Sequence, residues 1–477
     1  MKKSFKLGIF LILIILMAVS LFGCGNTIDD ENKNSENKIG YKISDKQIEK
    51  LFKMKRIAGG YAVEKYIGEK DNVTIPIQYK GEKINQIASE AFKDVDFLEK
   101  VDISGTVETI EVEAFYGCIN LREIIFRDGI KDIKSKAFSK TSIESITIPK
   151  TVENIGDYAF ADPYLEDNSK LKSIQFNKGT KKIDSWSFKG AQIESIMIPS
   201  TIKSIGRGAF SNCKNLKSVT LHEGLEYIGN EAFSNTIIES ILIPRTVENI
   251  GGNAFMNCKN LSSVVLNEGL KKIGENAFFE TSIESITIPK TVEYIEKNSF
   301  KNCKNLSFVE FNDGLKEIGR EAFAYTVIRS ISIPRTVRKI GAGAFNSCEI
   351  LNSVALNEGL QEISDGAFYK TSISSITIPS TVKRIGEFAF NGCSRLNLIE
   401  LNEGLKSISK GAFYKTPISS ITIPSTVENI GDYAFRDCKN LQFINCEIKR
   451  NYYKRNCWNF NGLMVFESEG KINWLNG

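Results

Sequence analysis

The stretch Ile418-Ser-Ser-Ile421-Thr-Ile423-Pro-Ser-Thr-Val427-Glu-Asn-Ile430-Gly-Asp-Tyr-Ala434-Phe435 decides how this chain folds, because close copies of it occupy most of the 477 residues. Its closing Ala-Phe pair, or an equivalent, places Phe92, Phe115, Phe138 and Phe160, and then a phenylalanine every 22 or 23 residues from Phe188 to Phe435. One longer interval, of 28 residues, follows Phe160. Self-similarity at a fixed period is the signature of a solenoid, in which each coil packs only on its neighbours.

Within the copy, Ile421 and Ile423 alternate with Ser420 and Thr422, the period-2 pattern of a strand with one buried face. Ala434-Phe435 is expected to form a short helical or 3₁₀ turn packed on the strand layer. Gly431 is expected to supply the intervening turn through its tolerance of positive φ. Burying about seven apolar side chains yields roughly 10–20 kcal/mol, whereas ordering about 22 residues costs on the order of 1–2 kcal/mol each. No coil can fold alone, so stability has to come from stacking.

Two variants of the coil alternate, which makes the full period 45 residues. One reads Leu216-Lys-Ser-Val219-Thr-Leu221-His-Glu-Gly224-Leu225, the other Ile238-Glu-Ser-Ile241-Leu-Ile243-Pro244-Arg-Thr-Val247. The pattern Ile-x-Ile-Pro-x-x-Val-x-x-Ile-Gly-x-x-Ala-Phe-x-x-Cys-x-x-Leu, as it stands from Ile421 to Leu441, resembles the BspA-like leucine-rich repeats of bacterial and protozoan surface proteins. The resemblance implies an α/β solenoid: a curved leucine-rich repeat right-handed superhelix with a parallel concave β-sheet and short helical or 3₁₀ turns. It also implies adhesion to host or neighbouring-cell proteins. Spacing alone establishes only a solenoid, and a parallel β-helix of similar coil length is the alternative.

The chain divides into five segments. Residues 1–23 read as a signal peptide, with Lys2, Lys3 and Lys6 ahead of an apolar run from Leu7 to Phe22. Leu21-Phe22-Gly23-Cys24 resembles a bacterial lipobox, which makes Cys24 the expected lipidation site and the N-terminus a membrane anchor. An uncleaved membrane anchor is the alternative, although the run is short for a span of ~20 residues. Residues 24–45 are a polar tether with too few apolar side chains to order. An N-terminal cap occupies 46–80, in which Tyr61 to Ile67 followed by Val73-Thr-Ile75-Pro reads as a hairpin. The repeats fill 81–445, and an aromatic C-terminal cap closes the chain over 446–477. The formal charge of +5 falls to +2 once the three lysines leave with the signal, which predicts no nucleic-acid binding.

Residues also form columns from coil to coil. Cys213, Cys258, Cys303, Cys348, Cys393 and Cys438 recur every 45 residues, with Cys118 in the same column and Thr141, Thr236, Thr281, Thr326, Thr371 and Thr416 filling the coils between. Cysteines two coils apart are separated by roughly 10 Å, beyond the ~7 Å that a disulfide spans. They are expected to be free, buried thiols, and Cys446 with Cys457 remains as the one possible disulfide. The same separation argues against a metal site, and no cofactor is implied. Charges alternate in sign along Glu99, Arg122, Glu144, Lys172, Glu194, Lys217 and Glu239, and again along Glu223, Arg245, Glu268, Lys290, Asp313, Arg335 and Glu358, so neighbouring coils are expected to pair. The single histidine, His222, stands where other copies carry Asn267, Asn312 and Asn357, and no catalytic signature accompanies it.

Outward strand positions are mostly Ser and Thr, as in Ser145, Thr147, Ser285 and Thr287. Met197, Leu242, Val265 and Phe308 interrupt that polar background and make up the expected binding face, spanning roughly 24 Å at one strand per ~4.8 Å. The chain therefore reads as a monomeric, non-enzymatic lipoprotein on the extracellular face of the bacterial envelope, with extracellular proteins or glycans as partners. A structural spacer without a specific ligand and a polysaccharide-acting β-helix enzyme are the alternatives.

Overall fold

Each coil of the computed structural model, which describes residues 43–164, 169–447 and 472–474, has three walls around one line of buried side chains. The described residues all belong to one unit, Tyr41–Gly477. The expected signal segment, Cys24 and Cys457 lie outside them.

The first wall is the four-residue strand expected from the alternation. In Ser285–Ile288, Ile286 and Ile288 are buried while Ser285 and Thr287 face outward. The second wall is a two-residue strand such as Tyr294–Ile295, whose isoleucine points inward. These short strands stack in parallel and in register from Thr109–Ile110 to Asn429–Ile430. They are too short to show a period in the sequence, which is why only one strand layer was expected.

The third wall carries the Ala-Phe pair, and it is a run of tight turns. Ala277 N–H donates to Gly274 O at 3.2 Å and Phe279 N–H to Asn276 O at 3.1 Å, both closing turns within the coil. The alternate donors, Phe278 N–H and Glu280 N–H, reach Ser299 O and Lys301 O of the next coil at 2.8 and 3.1 Å. A helical turn would keep all four bonds within its own chain. In nearly every coil the alternation is accompanied by left-handed residues two before and two after the phenylalanine, as at Asn276 (φ 52°) and Glu280 (φ 57°); Asp162, after Phe160, is the exception. The fold is thus a parallel β-solenoid with very little helix; among the described residues Asp45–Leu51 is the one helix, capped by Ser44 and Gln47.

The phenylalanines stack along the solenoid. Successive rings from Phe92 to Phe435 have centroids 4.6–5.6 Å apart, and interplanar angles run from 1° to 17°. At the first end Tyr66 continues the stack, 5.1 Å from Phe92. Offset stacking of this kind adds about 0.5–1.5 kcal/mol per pair to the burial of each ring.

Coils associate in twos along the first wall. Ser240–Ile243 pairs with Ser263–Leu266 over all four residues, whereas Ser263–Leu266 meets the following Ser285–Ile288 only at Ser263 and Ser285. The cause is the proline after every second strand. Arg127, Asn177 and Glu447, which follow strands without proline, donate N–H to Ile103, Ile148 and Ile423 of the coil before at 3.0–3.3 Å. Pro289, in the equivalent place, has no N–H to give.

Two expectations are corrected. Gly431 does not have positive φ; a Cβ there would lie 2.6 Å from Lys410 N, so the glycine is needed for close approach to the previous coil. The positive-φ glycine is the one in Asn-Glu-Gly-Leu and its variants, for example Gly269 (φ 116°), which donates N–H to Thr291 Oγ1 at 3.0 Å. The N-terminal hairpin also differs. It joins Phe52–Ile57 to Gly60–Tyr66, and Gly60–Tyr66 then runs parallel to Glu82–Ile87, covering the end of the second wall.

Candidate binding face

The outward side chains of the first wall form two columns, because each strand has two exposed residues between its buried ones. Met197, Leu242 and Val265 lie in the second column at 63, 53 and 42% exposure. Leu242 and Val265 are register partners on adjacent strands, and Met197 lies against Thr220. Phe308, 53% exposed, is in the first column beside Ser285. The apolar residues therefore make a stepped patch. Past Val265 the second column continues with Thr287 and Glu310, the hydroxyl donating to the carboxylate at 3.2 Å.

All four sit on the longest continuous part of the first wall, six strands from Ser195–Ile198 to Phe308–Phe311. Two further exposed apolar residues escaped the sequence reading, Leu398 at 64% and Phe443 at 49%. Both replace the serine usual in the first column, a signal that aligning the coils would have revealed. A cavity of about 640 Å³ lies beside Leu398, with Ala355, Thr377 and Glu400 in its lining.

The charge columns behave in two ways. Lys172 and Glu144 pair at 2.9 Å, as alternation of sign suggests. In the column after the strand, the carboxylates instead accept backbone N–H groups of the next coil. Glu223 takes those of Arg245 and Thr246 at 3.2 and 3.3 Å, and Glu358 those of Ser380 and Thr381 at 3.1 and 3.3 Å. The bond from Ser380 N–H is the main reason Glu358 is held below the usual carboxylate range. Asp313 and Arg335 do pair, at 3.8 Å.

The cysteine column is built for packing. Cys303 Sγ donates to Phe278 O at 3.1 Å and lies 3.2 Å from Thr281 Oγ1, which itself donates to Phe278 O at 2.9 Å. The column thiols from Cys118 to Cys438 are buried and unbridged. Burial pushes Cys303 up to about 12 and Cys258 to about 11, so neither supplies a thiolate nucleophile near neutral pH. Cys446 is buried in Phe443–Cys446, and Cys457, the other half of the expected pair, lies outside the described residues. Among the described residues no three His, Cys, Asp or Glu side chains gather as metal ligands. His222 is exposed; its counterparts Asn267, Asn312 and Asn357 donate Nδ2 to a carbonyl of the preceding coil at 2.8–3.0 Å.

Short parallel strands, stacked coil on coil, with a Cys or Thr behind most of the phenylalanines, define a leucine-rich-repeat solenoid. The chain belongs to the family described as "BspA type Leucine rich repeat region (6 copies)", which it matches over residues 85–198, 164–262, 237–352, 316–442 and 361–466. It is similar to the crystal structure of a leucine-rich repeat protein from Bacteroides ovatus, with 25% identity and a TM-score of 0.60, covering 83% of this chain and 92% of that one. A leucine rich cell surface protein from Faecalibacterium prausnitzii aligns at 22% identity and a TM-score of 0.40, over 87% of this chain and 96% of its own. The pneumococcal vaccine antigen PcpA aligns at 21% identity and a TM-score of 0.38, over 86% and 89%. No curated protein matches.

Proposed function

We propose that this protein is a lipid-anchored, non-enzymatic surface protein that binds extracellular macromolecules through the outward face of the strands between Ser195 and Phe311. The observation that carries the reading is the stepped apolar patch of Met197, Leu242, Val265 and Phe308 on six strands whose other outward residues, apart from Glu310, are Ser and Thr. Apolar side chains exposed to that extent contribute nothing to the core, yet each would contribute roughly 1.5–3 kcal/mol if a partner covered it fully. The continuous six-strand ladder beneath holds them in fixed positions, which lowers the entropy cost of binding. A signal segment ending in Gly23-Cys24 supports the surface location, and family membership supports a binding role.

The test is a pull-down against immobilised extracellular-matrix proteins and glycans, followed by titration of whatever is retained. A variant with Met197, Leu242 and Phe308 all changed to Ser should bind at least tenfold more weakly, about 1.4 kcal/mol, with an unchanged far-UV spectrum. Unchanged affinity would move the contact off this face, and no retained partner at all would leave a structural spacer as the better reading.

A further inference from the structure

Beside the second wall runs a groove whose charges are not balanced. A cavity of about 1000 Å³ crosses successive coils there, floored by Gly269 and Gly314 and flanked by charged side chains. Two of its cations are satisfied locally: Lys271 pairs with Glu248 at 2.9 Å and Lys316 with Glu293 at 2.6 Å. Its third carboxylate, Glu226, pairs with Lys203 at 3.2 Å. Arg245, Lys290 and Arg338 also line it, are exposed, and have no carboxylate partner within ion-pair distance among the described residues. The acids that could have neutralised the first two are turned elsewhere. Glu223 accepts the backbone of Arg245 and Thr246, and Glu268 accepts Lys290 N–H at 3.4 Å. Arg338 has only the carbonyl of Gly359, at 2.9 Å.

The three free cations lie on alternate coils: Arg245 and Lys290 are equivalent positions 45 residues apart, and Arg338 follows 48 residues on, at the place where the two preceding coil pairs carry Glu248 and Glu293. Two coils advance roughly 10 Å, about the length of one extended disaccharide. Phosphates along one strand of duplex DNA repeat every ~3.4 Å, about three times as densely. Single-stranded nucleic acid is held by aromatic platforms, and no aromatic side chain lines this groove. We propose that the groove binds an extended acidic polysaccharide, one carboxylate or sulfate per disaccharide resting on each of Arg245, Lys290 and Arg338. This surface is distinct from the apolar strand face, so the two readings stand or fall separately.

The experiment is fluorescence anisotropy of the full chain in mild detergent with labelled chondroitin sulfate, and with labelled hyaluronan to separate sulfate from carboxylate. Binding should strengthen as salt is lowered, since these exposed charges are screened over about 8 Å at physiological ionic strength. The variant Arg245→Gln, Lys290→Gln, Arg338→Gln should lose at least tenfold in affinity and lower the slope of log affinity against log salt by roughly 2. Lys150→Gln, which removes an exposed cation already 3.6 Å from Asp128, should change affinity less than twofold. If the triple variant loses its far-UV strand signature, the three single variants replace it, each expected to weaken binding two- to threefold. No binding of either polysaccharide at low salt overturns the proposal. So does an equal loss in Lys150→Gln, or displacement by poly-glutamate or single-stranded DNA at equal charge concentration.

Discussion

Replacing Gly314 with alanine probes one of the tightest contacts between coils. Gly314 has φ 132°, and a Cβ on it would lie 1.9 Å from Lys290 O and 2.9 Å from the carbonyl carbon. On its other side its N–H donates to Thr336 Oγ1 at 3.1 Å, so the chain cannot move away without opening that bond. A left-handed backbone costs alanine roughly 1–2 kcal/mol, and forcing apart packed groups adds about 1–3 kcal/mol. The expected destabilisation is about 2–5 kcal/mol. Gly366 is the control: its φ is 61°, but the nearest atom to an added Cβ would be 3.9 Å away. Asn276 and Glu321 occupy the same place in other coils, so Gly366→Ala should cost about 1 kcal/mol, partly offset by the stiffer unfolded chain. Because a solenoid can open coil by coil, a single unfolding midpoint is a poor readout. Hydrogen exchange resolved by mass spectrometry is better, with faster exchange expected in peptides holding Lys290 and Thr336 in Gly314→Ala alone. Equal effects of the two substitutions would refute the reasoning that close approach between coils adds to the cost of φ at the Asn-x-Gly-Leu glycine.

Other outcomes follow from the buried thiols and the N-terminus. Cys303, raised from an ordinary 9.0 to about 12, stays protonated in the fold while the unfolded chain ionises. Its contribution is therefore complete below pH 9 and is lost as pH rises towards 12, by roughly 1.4 kcal/mol per pH unit. Cys303→Ser should flatten the fall in denaturant midpoint between pH 9 and 11, and identical slopes would sink the idea. Cys303→Ala should cost only about 1–2 kcal/mol by urea unfolding, since Thr281 still donates to Phe278 O at 2.9 Å. Alkylation under native conditions near pH 7 should leave the column cysteines unmodified, and rapid labelling of Cys258 or Cys303 would contradict their burial. Cys24→Ala should abolish lipid labelling and normal signal removal; a processed, unlipidated protein that still partitions into membranes would count against Cys24 as the anchor.

What could be read from the sequence was whatever repeats with a period of its own. The alternation in Ser420-Ile421-Thr422-Ile423 specified the first wall, and the phenylalanine spacing specified the number of coils. The second wall was hidden because Asn429–Ile430 is two residues long, and two residues show no alternation. The third wall was expected as short helical or 3₁₀ turns because Ala434-Phe435 is an adjacent apolar pair, common to helices and to turns; its bonds within the coil do span three residues, and what the sequence did not reveal is that alternate donors reach the next coil. Its real mark was the left-handed residue on either side of each phenylalanine, filled by Asn253, Asn257, Gly343 or Gly366 in some coils. Tyr433 and Trp186 in the same place mask that preference. The candidate face was legible where an apolar residue breaks the Thr column, as at Met197 and Leu242. Leu398 was overlooked because a leucine one residue before the core isoleucine Ile399 reads as part of the core.

The proline-imposed pairing of coils has a consequence for how such a chain can change length. From Cys258 to Cys438 each thiol sits on a threonine of the coil before, and each proline-bearing coil on one without proline. Deleting or duplicating a single coil would set cysteine against cysteine, or threonine against threonine, at one joint. Gaining or losing 45 residues leaves every joint as it was. The heritable module is therefore the coil pair, and unequal crossing-over between copies can lengthen or shorten the solenoid in steps of roughly 10 Å without redesigning any contact.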